Sequence, residues 1–90
     1  MARGGVVKVR ALAVEDDASR AAIAVHGSKS AVVRNRARRR VRAALDPALR
    51  RHAGLHLLVS VAAADAAVVP FVQLADAVET AVAGAAERAR

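Results

Sequence analysis

Residues 30–45 read SAVVRNRARRRVRAAL, and this stretch decides the fold. At about 100° per residue its apolar side chains fall within an arc of about 120°, as in an amphipathic helix. These side chains belong to Val33, Ala37, Val41, Ala44 and Leu45. Ser30 suits the N-cap, because its hydroxyl can accept a hydrogen bond from an unpaired helical N–H. Asp46-Pro47 predicts the end of the helix, because the residue before a proline is pushed out of the helical region.

The opposite side of this helix is cationic. Arginine occupies six of the nine positions 34–42, and residues 18–45 contain no Asp or Glu. That longer segment carries a charge of +8 against +7 for the whole chain, so the remainder is close to neutral. Solvated helices usually interleave acidic with basic residues. Arginines without counter-charges repel one another, and one basic patch on a neutral body is typical of a surface that binds a polyanion.

The residue types in this patch favour RNA. The planar guanidinium of arginine donates two parallel hydrogen bonds to a phosphate and stays charged at physiological pH. Asn35 adds a neutral donor and acceptor for a ribose hydroxyl or a base edge. Phe71 is the only aromatic residue, so we expect the chain to grip RNA mainly by charge and shape. The predicted RNA contacts are Lys29, Arg34, Asn35, Arg36, Arg38, Arg39, Arg40 and Arg42.

The segments before the helix alternate apolar and polar residues, which is typical of β-strands. Residues 6–14 and 19–26 predict two strands that pair as a hairpin around the solvated turn Glu15-Asp16-Asp17. On the first strand we expect Val7 and Val9 on one side and Lys8 and Arg10 on the other.

Beyond the arginine helix, Pro47 predicts a short further turn that Gly54 ends. Residues 55–62 alternate again and are apolar on both sides, which predicts a third strand at the centre of the sheet. Residues 63–69 predict a loop. Residues 70–86 predict a second amphipathic helix, and its buried stripe would comprise Phe71, Leu74, Val78, Val82 and Ala85. The order is β-β-α-β-α in a single domain, residues 1–90.

Composition excludes several classes of protein. A chain of 90 residues buries only about 60–65% of the surface that its unfolded form exposes, which disfavours a deep active site. Cysteine is absent, so there is no disulfide partner. No apolar stretch approaches the about 20 residues of a membrane span, and no secretion signal is recognisable, so we expect a cytoplasmic protein without a membrane partner. His52 and His56 lack a third ligand nearby. We predict no catalytic residue, no metal site and no cofactor bound by the protein itself.

The arginine helix also carries a resemblance. Residues 31–42 resemble the signature helix of the bacterial ribonuclease P protein component, A-V-x-R-N-R-x-K/R-R-x-x-R, at every fixed position. RAAIAV at residues 20–25 resembles the family's upstream strand, R-x-G-F-S-V, and GLHLLVSV at residues 54–61 resembles the downstream strand, G-x-D-I-V-V-I-A. Phe71-x-x-Leu74 resembles the start of the family's last helix. The resemblance covers about residues 5–86.

The resemblance implies both a fold and a role. The fold would be α+β, an α/β sandwich of three or four strands with two helices on one face and an unusual left-handed βαβ crossover. The chain would be the accessory subunit of an endoribonuclease that removes the 5′ leader from precursor tRNA. Its partners would be ribonuclease P RNA and precursor tRNA. Cleavage would belong to the RNA and its Mg²⁺ ions.

The resemblance further implies a substrate surface between sheet and helix. Family members contact the single-stranded leader there, and the corresponding positions in this chain are Lys8, Arg10, Arg20, Ile23 and His26. The family normally begins with a helix before its first strand. Because this chain starts at Gly4-Gly5 without that pattern, we expect a short or N-terminally truncated version.

Two alternatives stay open. One is a non-enzymatic RNA-binding or ribosome-associated basic protein that has the arginine helix without a role in the ribonuclease. The other is a basic amphipathic helix that docks on an anionic membrane or an acidic protein. Membrane-binding helices prefer Trp, Phe and Leu on their apolar side, whereas this helix has Val33, Ala37 and Val41.

Overall fold

The chain folds into an α+β structure in which helices cover one face of a sheet. The computed structural model describes residues 2–4, 7–14 and 19–89, so the predicted acidic turn at Glu15-Asp16-Asp17 lies outside the described residues. The elements are β1 (Ala2–Gly4), β2 (Val7–Ala13), β3 (Arg20–His26), α1 (Ala31–Arg51), β4 (Leu55–Ala62), α2 (Ala63–Val68) and α3 (Phe71–Ala89). The predicted order is confirmed, with β1 and α2 as additional elements.

The sheet has the strand order β1-β2-β4-β3. β4 pairs antiparallel with β2 and parallel with β3, so its predicted central position is confirmed. The predicted hairpin between β2 and β3 is wrong, because β4 lies between them. Four side chains of β4 are buried, whereas those of β3 are half-buried or exposed. The strand with the most apolar surface to remove from water takes the centre of the sheet.

α1 connects the parallel pair β3 and β4. Parallel neighbours cannot be joined by a tight turn and need a long crossover, usually a helix. α1 therefore runs between the end of β3 and the start of β4, and it packs against β3 and both other helices. This connection puts the arginine helix on the covered side of the sheet, with its outer side free. The left hand of the crossover stays a prediction.

The core lies between the sheet and the helices. The register sets Val59 of β4 between Val9 of β2 and Ile23 of β3, so their side chains share the covered face. The predicted stripe of α1 is confirmed, since Ala37, Val41, Ala44 and Leu45 are buried and Val33 is half-buried. From α3, the buried side chains are Leu74, Val78, Ala81, Val82, Ala85 and Ala86.

α1 is longer than the sequence predicts. The expected end at Asp46-Pro47 is wrong, because the helix continues through Pro47 to Arg51. An interior proline removes one backbone hydrogen bond and costs about 3 kcal/mol. Ala48 continues the buried stripe one turn beyond Leu45, and Leu49 packs partly buried against the core; their burial offsets part of this cost. The helix closes where the His52 N–H donates to Ala48 O at 3.1 Å.

The segment after β4 also differs from its prediction. Residues 63–69, predicted as a loop, contain α2, because alanine favours helix and three of its alanines are buried. α3 begins at Phe71, one residue after the predicted start, and reaches Ala89. The prediction that Phe71 belongs to the buried stripe is wrong: the side chain is 45% exposed and lines an open depression with Arg36, Arg39 and Ala43 of α1. In the ranges that the structure describes, none of the helices has the length and apolar character needed to cross a membrane.

Candidate nucleic-acid interface

A bend and an N-cap fix the start of the arginine helix. Gly27 has φ +88°, a left-handed conformation that favours glycine. The Ser30 N–H donates to Ser28 Oγ at 3.1 Å, and the Val33 N–H donates to Ser30 Oγ at 3.3 Å. Ser30 is therefore the N-cap that the sequence predicts. Lys29 lies exposed in this bend, directly before a first helical turn without acidic residues.

The cationic side of α1 faces away from the core. Five of the predicted contacts are exposed there, namely Asn35, Arg36, Arg38, Arg39 and Arg42. Arg38 Nη1 donates to Asn35 Oδ1 at 3.3 Å, so the amide orients its neighbour. Within the described part of the chain, the guanidinium groups of Arg36, Arg39 and Arg42 make no hydrogen bond or ion pair. Their donors are therefore available to a phosphate.

These side chains form a shallow groove along the helix. It has a volume of about 530 Å³ and is lined by Val32, Asn35, Arg38, Arg39 and Arg42. The positions recur every three or four residues, so they lie on successive helical turns about 5.4 Å apart. Among the described residues, those that line the groove supply cationic and amide donors and no acidic side chain. It therefore suits an extended polyanion that follows the helix axis.

Arg34 and Arg40 differ from the other arginines, because their guanidinium groups donate within the protein. Both side chains are half-buried. Arg34 Nη1 donates to Ser28 O at 2.8 Å, which ties the helix to the bend before it. Arg40 Nη1 donates to Ala66 O at 2.7 Å, and its Nη2 donates to Val69 O. The last carbonyls of a helix have no partner within that helix, so Arg40 satisfies the end of α2 and fixes it to α1.

A second group of cations extends the surface towards the edge of the sheet. Arg42 of α1 and Arg20 of β3 line one cavity of about 340 Å³, which also contains Asp46. Arg20 is exposed on the edge strand. The two residues are far apart in the chain, so only the fold brings them together. The cationic surface therefore continues from the arginine helix to β3.

The other predicted leader contacts do not form one cluster. Lys8 and Arg10 lie exposed on the face of the sheet opposite the helices, beside Leu58 and Ser60 in a pocket of about 160 Å³. His26 is exposed at the end of β3. Ile23 points to the opposite face, where it is half-buried and packs against the core. The structure therefore separates Ile23 from Lys8 and Arg10.

The described residues provide cationic groups that can bind a polyanion, but they form no cluster of metal ligands. Among them, no three His, Asp or Glu side chains lie close enough together to hold one ion. His52 closes α1, and His56 is exposed on β4. The main feature of this surface is its row of arginine side chains, whose N–H groups can donate hydrogen bonds to phosphate.

One of the comparisons with known proteins gives a match. A family model described as Ribonuclease P matches residues 2–86, which include every strand and the arginine helix. The comparisons with curated proteins and with solved structures give no match.

Proposed function

Because the chain belongs to the ribonuclease P protein family, we propose that the exposed arginine side of α1 binds ribonuclease P RNA. Membership gives the chain its role as the accessory protein subunit, which acts with the catalytic RNA in removing the 5′ leader from precursor tRNA. The chemical step belongs to the RNA subunit, and the Mg²⁺ that we expect there is held by the RNA. The task of the protein is to bind RNA.

One observation supports this proposal above the others: three guanidinium groups on one side of α1 have no partner among the described residues. Arg36, Arg39 and Arg42 would each donate to phosphate oxygens of the RNA backbone. Arg38 would also donate to a phosphate. Asn35 would either keep its hydrogen bond to Arg38 or form one with a ribose hydroxyl. Lys29 would add a phosphate contact at the N-terminal end of the helix, where backbone N–H groups also favour anions.

The predicted RNA contacts of Arg34 and Arg40 stay predictions. Both groups already donate to backbone carbonyls, so their first task is to hold the shape of the surface. Their charge still adds to the positive field that attracts RNA.

A second set of cations would contact the substrate. Arg20 is the best-supported candidate, because it shares a cavity with Arg42 and would extend the RNA surface to the edge of the sheet. Lys8, Arg10 and His26 are exposed cations or donors that a precursor tRNA leader could reach, whereas the half-buried position of Ile23 does not support a direct contact. We expect these events in the cytoplasm.

Reconstituted processing tests the proposal. Precursor tRNA is incubated with a bacterial ribonuclease P RNA at low Mg²⁺, without protein, with the original chain, and with the Arg38→Gln/Arg39→Gln double variant. We expect the original chain to restore leader removal and the double variant to fail. Arg39→Gln and Arg50→Gln are also compared as single variants, because each removes one charge from an exposed position on α1 and the two positions lie about 16 Å apart along the helix.

The same assay distinguishes the proposed function from the alternative. If the original chain binds the RNA but leaves leader removal unchanged, the protein is a non-enzymatic RNA-binding or ribosome-associated protein. If Arg50→Gln reduces processing as much as Arg39→Gln does, the effect belongs to overall charge and not to the groove.

A further inference from the structure

Phe71 lies in a position that its sequence pattern does not explain. It is the only aromatic residue of the chain and falls on the apolar stripe of α3, yet it is 45% exposed, whereas Leu74 one turn later is fully buried. The ring lines a shallow cavity of about 400 Å³, together with Arg36, Arg39, Arg40 and Ala43 of α1. An exposed aromatic ring between arginines does not contribute to the core.

We propose that this cavity binds one unpaired nucleotide of RNA, with its base stacked on the Phe71 ring and its phosphate on Arg36 and Arg39. The inference rests on the proposed function and adds to it the kind of RNA structure that is recognised. Proteins read RNA mainly at unpaired bases, which they stack on aromatic side chains and on arginine planes.

Continuity with the groove of α1 favours RNA over a protein partner at this cavity. Arg36 and Arg39 are exposed and have no hydrogen bond or ion pair within the described residues. Arg39 also lines the long groove of α1, so the two sites are continuous. A strand whose phosphates follow the groove would therefore reach the cavity, and a nucleotide turned out of its helix would enter it.

Arg40 acts here as a positioning residue. Its guanidinium donates to the carbonyls of Ala66 and Val69, and Val69 lies two residues before Phe71. These bonds fix the corner between α2 and α3 against α1, and so set the distance between the ring and the free arginines.

Two synthetic RNA hairpins, each closed by a non-nucleotide linker so that neither has loop nucleotides, test the inference. Their stems are identical except that one is fully paired and the other has a single bulged adenosine. We expect the original chain to bind the bulged hairpin about tenfold more tightly, since stacking one base on an aromatic ring has an effect of this order. Phe71→Leu should abolish the preference while the salt dependence of binding stays the same. Phe71→Tyr should keep the preference. Val72→Ala, at a neighbouring position that is 72% exposed, should also keep it.

A spectroscopic signal reports stacking directly. The chain contains no Trp or Tyr, so the emission of the Phe71→Trp variant comes from that position alone. We expect the bulged hairpin to quench this emission and the paired hairpin to leave it nearly unchanged.

Two failures are distinguishable. Equal affinity for both hairpins, or a preference that survives Phe71→Leu in a variant with an unchanged circular dichroism spectrum, overturns the inference and leaves the proposed function intact. If neither hairpin nor ribonuclease P RNA binds, the proposed function fails and the inference fails with it.

Discussion

Replacing Arg40 with methionine removes two charge-assisted hydrogen bonds, to Ala66 O at 2.7 Å and to Val69 O. Methionine keeps much of the unbranched stem, so the apolar contact along α1 is largely retained. Hydrogen bonds to charged groups each stabilise a protein by about 1.5–3 kcal/mol. Arg40 is half-buried, so water can replace part of each bond. We therefore expect the free energy of unfolding to fall by about 2 kcal/mol.

Thermal unfolding followed by circular dichroism measures this loss. For a domain of this size, 1 kcal/mol shifts the Tm by about 4–8 °C, so Arg40→Met should lower the Tm by about 8–16 °C. Arg39→Met is the matched control, because Arg39 is the adjacent arginine and is exposed. Its free energy of unfolding should stay within about 0.5 kcal/mol of the original value.

RNA binding should rank the same two variants in the opposite order. Below its Tm, Arg40→Met should keep most of the affinity, whereas Arg39→Met should flatten the slope of log K against log salt by about 0.7–0.9. If both variants unfold at the same temperature, or if Arg40→Met unfolds like the original chain, the division of the arginines into positioning and binding groups is refuted.

Three further changes test the fold by urea unfolding. Pro47→Ala should raise the free energy of unfolding by about 1–3 kcal/mol, because alanine supplies the N–H that proline lacks inside α1; a decrease would argue against a continuous helix. Ser30→Ala should lower it by about 1 kcal/mol through loss of the N-cap, and Ser30→Gly should lower it less. Leu74→Ala empties a fully buried position and should cost about 2–5 kcal/mol, so a cost below about 1 kcal/mol would remove Leu74 from the core.

Local periodicity predicts the parts of the fold that depend on neighbours in sequence. The stripe from Val33 to Leu45, the N-cap at Ser30 and the two-sided apolar pattern of β4 need only the geometry of one helix or strand. The exposed arginine side follows from the same periodicity, since a helix that buries one side exposes the other. These features are therefore confirmed.

Such patterns do not predict which strands pair when the partners are far apart in sequence. β2 and β3 are adjacent in sequence and both alternate, so a hairpin is the simplest prediction, yet β4 separates them because it has more apolar surface to bury. The predicted end of α1 is wrong for a related reason. Pro47 disfavours helix locally, whereas burial of Ala48 in the core favours continuation of the helix.

Sequence patterns also do not predict the contacts of Arg40 or the exposure of Phe71. Arg40 is one more arginine in a run, and its partners lie 26 and 29 residues away. Phe71 matches the apolar stripe of α3, and only the packing of α3 beside α1 leaves its ring exposed. Both depend on where α2 ends, and residues 63–69 carry no pattern that predicts this.

The salt dependence of binding to ribonuclease P RNA tests the central claim most directly. The original chain is compared with a variant in which Arg36, Arg38, Arg39 and Arg42 are all glutamine. With about five phosphates neutralised, log K should fall with log salt at a slope near −4, which is about a two hundred-fold loss of affinity between about 50 and 200 mM. The folded variant should bind weakly with a slope near −1. A folded variant that keeps both the affinity and the slope of the original chain would contradict the account.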